Sequence, residues 1–248
     1  MEDKASTDTS LDFSPIVPQR AFEDIAAQIR GLIASGRLKP GDRLPAERKL
    51  SEQFNVSRNT TREALRALEL SGLVELRKGA TGGAFVLAGS PDVIVNGLLN
   101  LYHLGGITPA QLTEARIWLS EVVVRVACER ATDEDLAALE ANVAEATAAR
   151  AAGDFNRRAK LHMQFHVRLA QITGNPVLIA TMMGVVEVLA EFIRGIGPSD
   201  NPYTLPSRRR FLTHLRNRDA SAANAEMTKL LERLHASYLS LWESKRDA

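Results

Sequence analysis

The chain has 248 residues, of which 45% are hydrophobic and 25% charged, and its formal net charge is +1. This is the composition of a soluble globular protein, long enough for one large domain or two ordinary ones. Its single cysteine, Cys128, excludes an intramolecular disulfide and fits a reducing cytoplasm. The polar, acidic opening MEDKASTDTSLDFSP lacks the apolar core of a signal peptide, and no run approaches the roughly 18 apolar residues of a membrane span. A cytoplasmic protein with no membrane partner is expected.

The charge is unevenly placed. Residues 1–19 carry one Lys against four acids, residues 20–88 carry twelve Lys and Arg against eight acids, and residues 89–248 carry eighteen of each. The positive excess therefore sits where a module for a polyanion would concentrate it.

In chain order, residues 1–19 are expected to form a disordered arm. Phe22, Ile25, Ile29, Leu32 and Ile33 then share one face of a helix over 22–35, which Gly36 closes. Pro45 suits the first position of a second helix, PAERKLSEQF. The turn NVS leads to a third, for which Ser57 is the N-cap. LVELRK and AFVLA read as strands joined by GATGG. Three helices and a hairpin make residues 20–88 one domain, with 89–91 as linker.

Beyond it, 92–244 reads as an all-α antiparallel bundle of six or seven helices. The expected helices are 92–104, one from Thr108 and Pro109 to about Arg130, and one capped by the box Thr132/Asp135 and ended by Gly153. Further helices start at Asp154 and at Pro176, the latter losing its pattern at GIGPSDNPYTLP. Helices at 207–217 and 219–244 complete the block. The fold class is mainly α, with a winged helix-turn-helix first.

The third helix has two faces. Taking about 100° per residue, Thr61, Ala64, Leu65 and Leu68 fall on an apolar side, while Arg58, Asn59, Arg62 and Arg66 share an arc about 100° wide opposite. A basic second helix after a tight turn, followed by a hairpin, suits the major groove, where Arg can bond guanine and Asn adenine. Lys78 and Arg77 at the wing base are expected to meet phosphates.

The stretch GDRLPAERKLSEQFNVSRNTTREALRALELSGLVELRKGATGGAFV, residues 41–86, resembles the DNA-binding domain of the GntR family of bacterial transcriptional regulators. The resemblance implies that Arg48 of ERKL contacts backbone or base, and that Arg58 and Arg62 read base edges with Asn59 and Thr60 beside them. It puts Gly79 at the wing. In the second block, LTEAR, ERATDEDLAALE, FHVRLAQITGNPVL and LRNRDASAANAEM are similar to the FadR-like C-terminal domain called FCD. That domain is expected to bind a small effector and to dimerise, so that a homodimer grips a pseudo-palindromic operator in double-stranded DNA.

HMQFH, 162–166, puts two histidines on one helix face, a common half-site for zinc or nickel, although such pairs also occur as ordinary packing. Many FCD domains hold a metal with one Asp and three His. By motif those positions fall on His162, His166, Arg208 and Leu230, a set too altered to hold a metal, so no cofactor is expected. Arg208 with His162, His166 and Arg116 would instead hold a carboxylate, or the phosphate of an acyl-CoA-like ligand, directly. Two other readings stay open at this point. One is a metal-dependent hydrolase centred on His162 and His166, although the chain has no HExxH pattern, phosphate loop or nucleophile elbow. The other is an architectural DNA binder without effector. The regulator is the reading adopted, and not an enzyme.

Overall fold

A computed structural model describes residues 19–79, 81–197 and 201–246. The expected arm, residues 1–19, lies outside them except for Gln19, which already belongs to the first helix. The chain divides into two compact units, one ending at Ser90 and the other beginning at Pro91.

The first unit contains α1 (Gln19–Ala34), α2 (Glu47–Phe54), α3 (Arg58–Leu70), β1 (Val74–Arg77) and β2 (Gly83–Val86). Its core joins Ile25, Ala26 and Ile29 of α1 to Leu50 of α2 and to Ala64, Leu65 and Leu68 of α3, with Val74 and Ala84 from the hairpin. The spacing of these residues leaves each helix a single buried stripe, as helices stacked on a small sheet require. Between α2 and α3 the chain reverses through Asn55, whose φ of 52° is a left-handed conformation that Asn tolerates. Ser57 then caps α3, its Oγ accepting from the Thr60 amide at 3.1 Å.

The strands pair antiparallel with Val74 opposite Val86 and Arg77 opposite Gly83. Gly79 has φ 105° and a Cβ at Gly82 would lie 2.4 Å from the Arg77 carbonyl, so this turn needs glycine at both places. Two details differ from the sequence reading. Pro45 stands before the N-cap Ala46 rather than inside α2. Arg43, outside every element expected from the sequence, pairs with Phe85 and adds a short third edge to the hairpin.

The second unit is a bundle of α4 (Asp92–His103), α5 (Pro109–Arg130), α6 (Asp133–Ala151), α7 (Phe155–Ile172), α8 (Pro176–Ile196), α9 (Thr204–Arg216) and α10 (Ala220–Arg246). Thr108 and Thr132 form complete capping boxes, and Asp154 and Asn175 cap α7 and α8 through their side chains. The main core gathers Val124, Leu139, Phe165, Leu169, Phe211, Leu215 and Leu231 from five helices. Among the described helices α8 alone has the length and hydropathy of a membrane span, with a mean hydropathy of 1.9. That apolarity is used inside the bundle, where α8 packs on α4, α5, α7 and α10.

Helix α9 begins at Thr204, three residues before the expected start. Helix α4 buries no residue fully and packs on α8, while Val93, Ile94, Leu101 and Leu104 stay exposed along another side.

Candidate nucleic-acid interface and buried cationic cavity

The apolar stripe of α3 fixes which side faces out. With Thr61, Ala64, Leu65 and Leu68 buried, Arg58, Asn59, Arg62 and Arg66 are all exposed on the opposite side. Their states differ. Arg58 and Arg66 make no ion pair among the described residues, whereas Arg62 is held by Glu47 of α2, with Nη2 and Nε 2.9 and 3.3 Å from the same Oε2. The Glu47 carboxylate raises the pKa of Arg62, which therefore stays charged. Arg48 sits loosely beside Glu52, 3.8 Å away and exposed. The Thr60 hydroxyl is taken up by the cap, 2.9 Å from Ser57 Oγ. Glu69, which falls within the basic arc, turns its carboxylate to the wing and accepts the Leu76 amide at 3.0 Å.

At the wing, Lys78 and Gly79 are exposed. Arg77 is engaged locally: its guanidinium lies 4.4 Å from the Phe85 ring centroid and 2.8 Å from Glu75 Oε2. Arg43, which the sequence reading passed over, donates to the Gly82 carbonyl and braces the turn. The unit thus presents a cationic ridge beside a glycine turn, the layout of a surface that meets phosphates and base edges.

In the bundle, α5, α7 and α9 bring together Arg116, His166 and Arg208. All three are buried, at 5%, 1% and 2% exposure. The neutral Nε2 of His166 accepts from Arg116 Nη2 at 2.7 Å and lies 3.3 Å from Arg208 Nη2. Arg208 Nη2 also donates to the His162 carbonyl at 3.0 Å, and its guanidinium stacks 3.8 Å from the Phe165 centroid.

Burial, followed by the nearby arginines, pushes His162 down to about 3 and His166 well below its usual value. Burial is also the main reason that Arg116 and Arg208 fall to about 10 and about 9. Both arginines remain charged at neutral pH. Arg116 Nε, Arg208 Nε and Arg208 Nη1 are buried without a hydrogen-bond partner, as are His162 Nδ1 and Thr204 Oγ1.

These groups border a cavity of about 30 Å³, lined by Arg116, Arg158, His162, Asn201, Thr204, Arg208 and Tyr238 over an apolar wall that includes Met163 and Leu234. Among the described residues no Asp or Glu lines it. The motif positions for His162, His166, Arg116 and Arg208 therefore converge, while Leu230 is buried apolar packing. Among the described residues no three of His, Cys, Asp and Glu gather as metal ligands. The sequence reading missed Asn201, Thr204 and Tyr238.

Two family models match the chain in order: bacterial regulatory proteins of the gntR family over residues 21–86, and the FCD domain over 111–233. Among curated proteins, the HTH-type transcriptional repressor NanR of Klebsiella aerogenes is 29% identical, covering 99% of this chain and 98% of its own length. NanR of Salmonella newport is 33% identical over 73% of this chain and 69% of its own. The Uxu operon transcriptional regulator of Escherichia coli is 34% identical over 65% of this chain and 62% of its own. These relatives are regulators of transcription and not enzymes, which removes the hydrolase reading. A GntR structure from Streptococcus agalactiae shares the fold with a TM-score of 0.66 and 24% identity, covering 87% of this chain and 99% of that one. A basic ridge on a winged helix, a helical bundle behind it in sequence, and both family models lead to one assignment: the chain belongs to the GntR family of bacterial transcriptional regulators, in the FadR-like subfamily with an FCD domain.

Proposed function

We propose that the protein is a repressor whose hold on operator DNA is released by a small organic anion bound between Arg116 and Arg208. One observation carries this reading: two buried guanidinium groups with unmade N–H bonds and, among the described residues, no carboxylate lining their cavity. Buried charge is costly unless it is paired. A ligand carboxylate would bring the missing negative charge and offer two oxygens as acceptors for the unmade N–H groups of Arg116 and Arg208. His166 supports the pair by accepting from Arg116 while staying neutral.

The cavity volume of about 30 Å³ favours a compact carboxylate over an acyl-CoA-like ligand. Even a compact acid must widen the space, and the flexible Met163 side chain in the wall can give way. Such widening would shift α5, α7 or α9 and give the liganded state a different shape. Release of DNA then requires the acid to favour that shape over the operator-binding one.

On the DNA side, a homodimer would set two α3 helices in successive major grooves of a pseudo-palindromic operator. Arg58, Asn59 and Arg62 would face base edges with Thr60 beside them. Arg48, Arg66, Lys78 and the backbone at Gly79 would meet phosphates. Such a regulator works where the bacterial chromosome lies, in the cytoplasm.

The test begins with operators selected from random DNA by the full-length protein. Organic acids are then screened for release of the labelled operator. One or more compact acids should release it, and Arg208→Met should bind DNA normally yet ignore them. A normal response in that variant overturns the assignment of the site. DNA binding that no acid alters would favour the architectural reading.

A further inference from the structure

We infer that the cavity between Arg116 and Arg208 holds a monatomic anion of the halide class, chloride in a cell, as a resident counter-ion that an organic effector must displace. The first half of this inference stands on the cavity itself, and the second half rests on the effector reading above.

The argument is one of charge and size. Both guanidiniums lie against the same imidazole nitrogen, at 2.7 and 3.3 Å, so two positive charges share one buried spot. Among the described residues neither arginine makes an ion pair, and no acidic side chain lines the cavity. His166 can satisfy N–H groups but carries no negative charge to offset them. Water has the same limitation: it can accept the remaining N–H bonds of Arg116 and Arg208, yet it leaves the charge uncompensated. An anion does both.

Size narrows the choice. At about 30 Å³ the cavity offers room for one or two water-sized occupants and not for a metabolite. A single halide fits that space without displacing Met163 or Leu234. Either Arg208 Nε or Arg208 Nη1, with Arg116 Nε and the Thr204 hydroxyl, all buried and without partners, provides donors for a spherical acceptor.

The experiment uses the full chain crystallised in bromide, with anomalous diffraction recorded at the bromine edge. A peak is expected inside the cavity, within hydrogen-bond reach of Arg208 Nη1 or Arg116 Nε. In parallel, melting is followed as chloride replaces sulfate at constant ionic strength. The Tm should rise by about 3–5 °C at tenfold excess over the dissociation constant. That rise should vanish in Arg208→Met and Arg116→Met.

An empty cavity in bromide overturns the inference, as does a chloride response equal in wild type and both variants. A peak without any chloride response also overturns it, since binding would then belong to crystal concentrations alone. Should the variants fail to fold, the peak and the wild-type response together decide. The two proposals fail separately. Organic acids that release DNA with no halide bound would retain the effector reading alone, and halide bound with no active acid would retain the counter-ion alone. If both hold, raising chloride tenfold above its dissociation constant should weaken the acid's apparent affinity about tenfold.

Discussion

Arg62 on α3 is restrained by Glu47 on α2: two guanidinium nitrogens converge on one carboxylate oxygen, at 2.9 and 3.3 Å. The pair is exposed and open to screening by salt. It has a second role besides linking two helices, because it keeps a negative charge beside the face that is to meet DNA. Glu47→Gln is expected to leave folding almost unchanged and to tighten DNA binding about two- to fivefold at low salt. Fluorescence anisotropy with operator and random DNA would measure it. Weaker operator binding would mean that Glu47 aims Arg62 rather than withholding it.

Among the described residues Arg58 has no such partner, and it stands at the start of α3. Arg58→Ala should cost specific binding about tenfold to a hundredfold, the loss of one bidentate base contact, with a change of preference at one operator position. Lys78→Ala should instead weaken binding to all sequences alike and reduce its salt dependence by about one phosphate contact. Selection of operators by each variant separates the two outcomes. An unchanged sequence preference in Arg58→Ala removes it from the bases.

The buried histidines give stability a pH dependence. His162 is held at about 3 in the folded protein and His166 well below its usual value, whereas both titrate near about 6.5 once unfolded. Between those values the unfolded chain binds more protons, so stability is full above about pH 6.5 and falls as pH drops toward 3. Each histidine contributes at most about 1.4 kcal/mol per pH unit in that window. Urea unfolding from pH 7 to pH 4 should show a falling midpoint, with a shallower fall in His162→Gln. Equal slopes in the two proteins would contradict the placement of His162.

The exposed side chains of α4 bear on assembly. Val93, Ile94, Leu101 and Leu104 leave an apolar stripe that a soluble monomer seldom carries without use, and a second copy of the chain is the occupant that the pseudo-palindromic operator proposed above would ask for. Leu101→Glu is expected to weaken self-association at least tenfold in sedimentation, and to lower operator affinity with it. A variant that stays as associated as wild type would clear α4 of this role.

Much of this protein could be read from its residues because its boundaries are chemically marked. Ser57, Thr108, Thr132 and Asp154 each cap the helix expected of them, since a cap is a local contact within three residues. Proline was the weak signal. Pro206 read as loop, yet it occupies the first turn of α9, where its missing N–H costs nothing. Pro45 invited the reverse error by standing just outside α2.

The cavity was legible only in part. Motif position led to Arg116, His162, His166 and Arg208, but SRRRF reads as a solvated charge run, and nothing local reveals that Arg208 is buried while Arg209 and Arg210 are exposed. That difference arises when α9 lies against α5 and α10. Tyr238 entered unannounced for the same reason, from an otherwise ordinary position in α10.

Glu69 carries a further consequence. Its carboxylate fastens the end of α3 to the backbone of β1 at Leu76, so the helix proposed above to enter the groove and the hairpin beside it are tied as two tines of one fork. Neither can adapt alone to a local change in the duplex. An operator must offer a groove for one tine and a backbone path for the other at a fixed separation, and sequences that bend easily into that shape gain affinity even at bases no side chain touches.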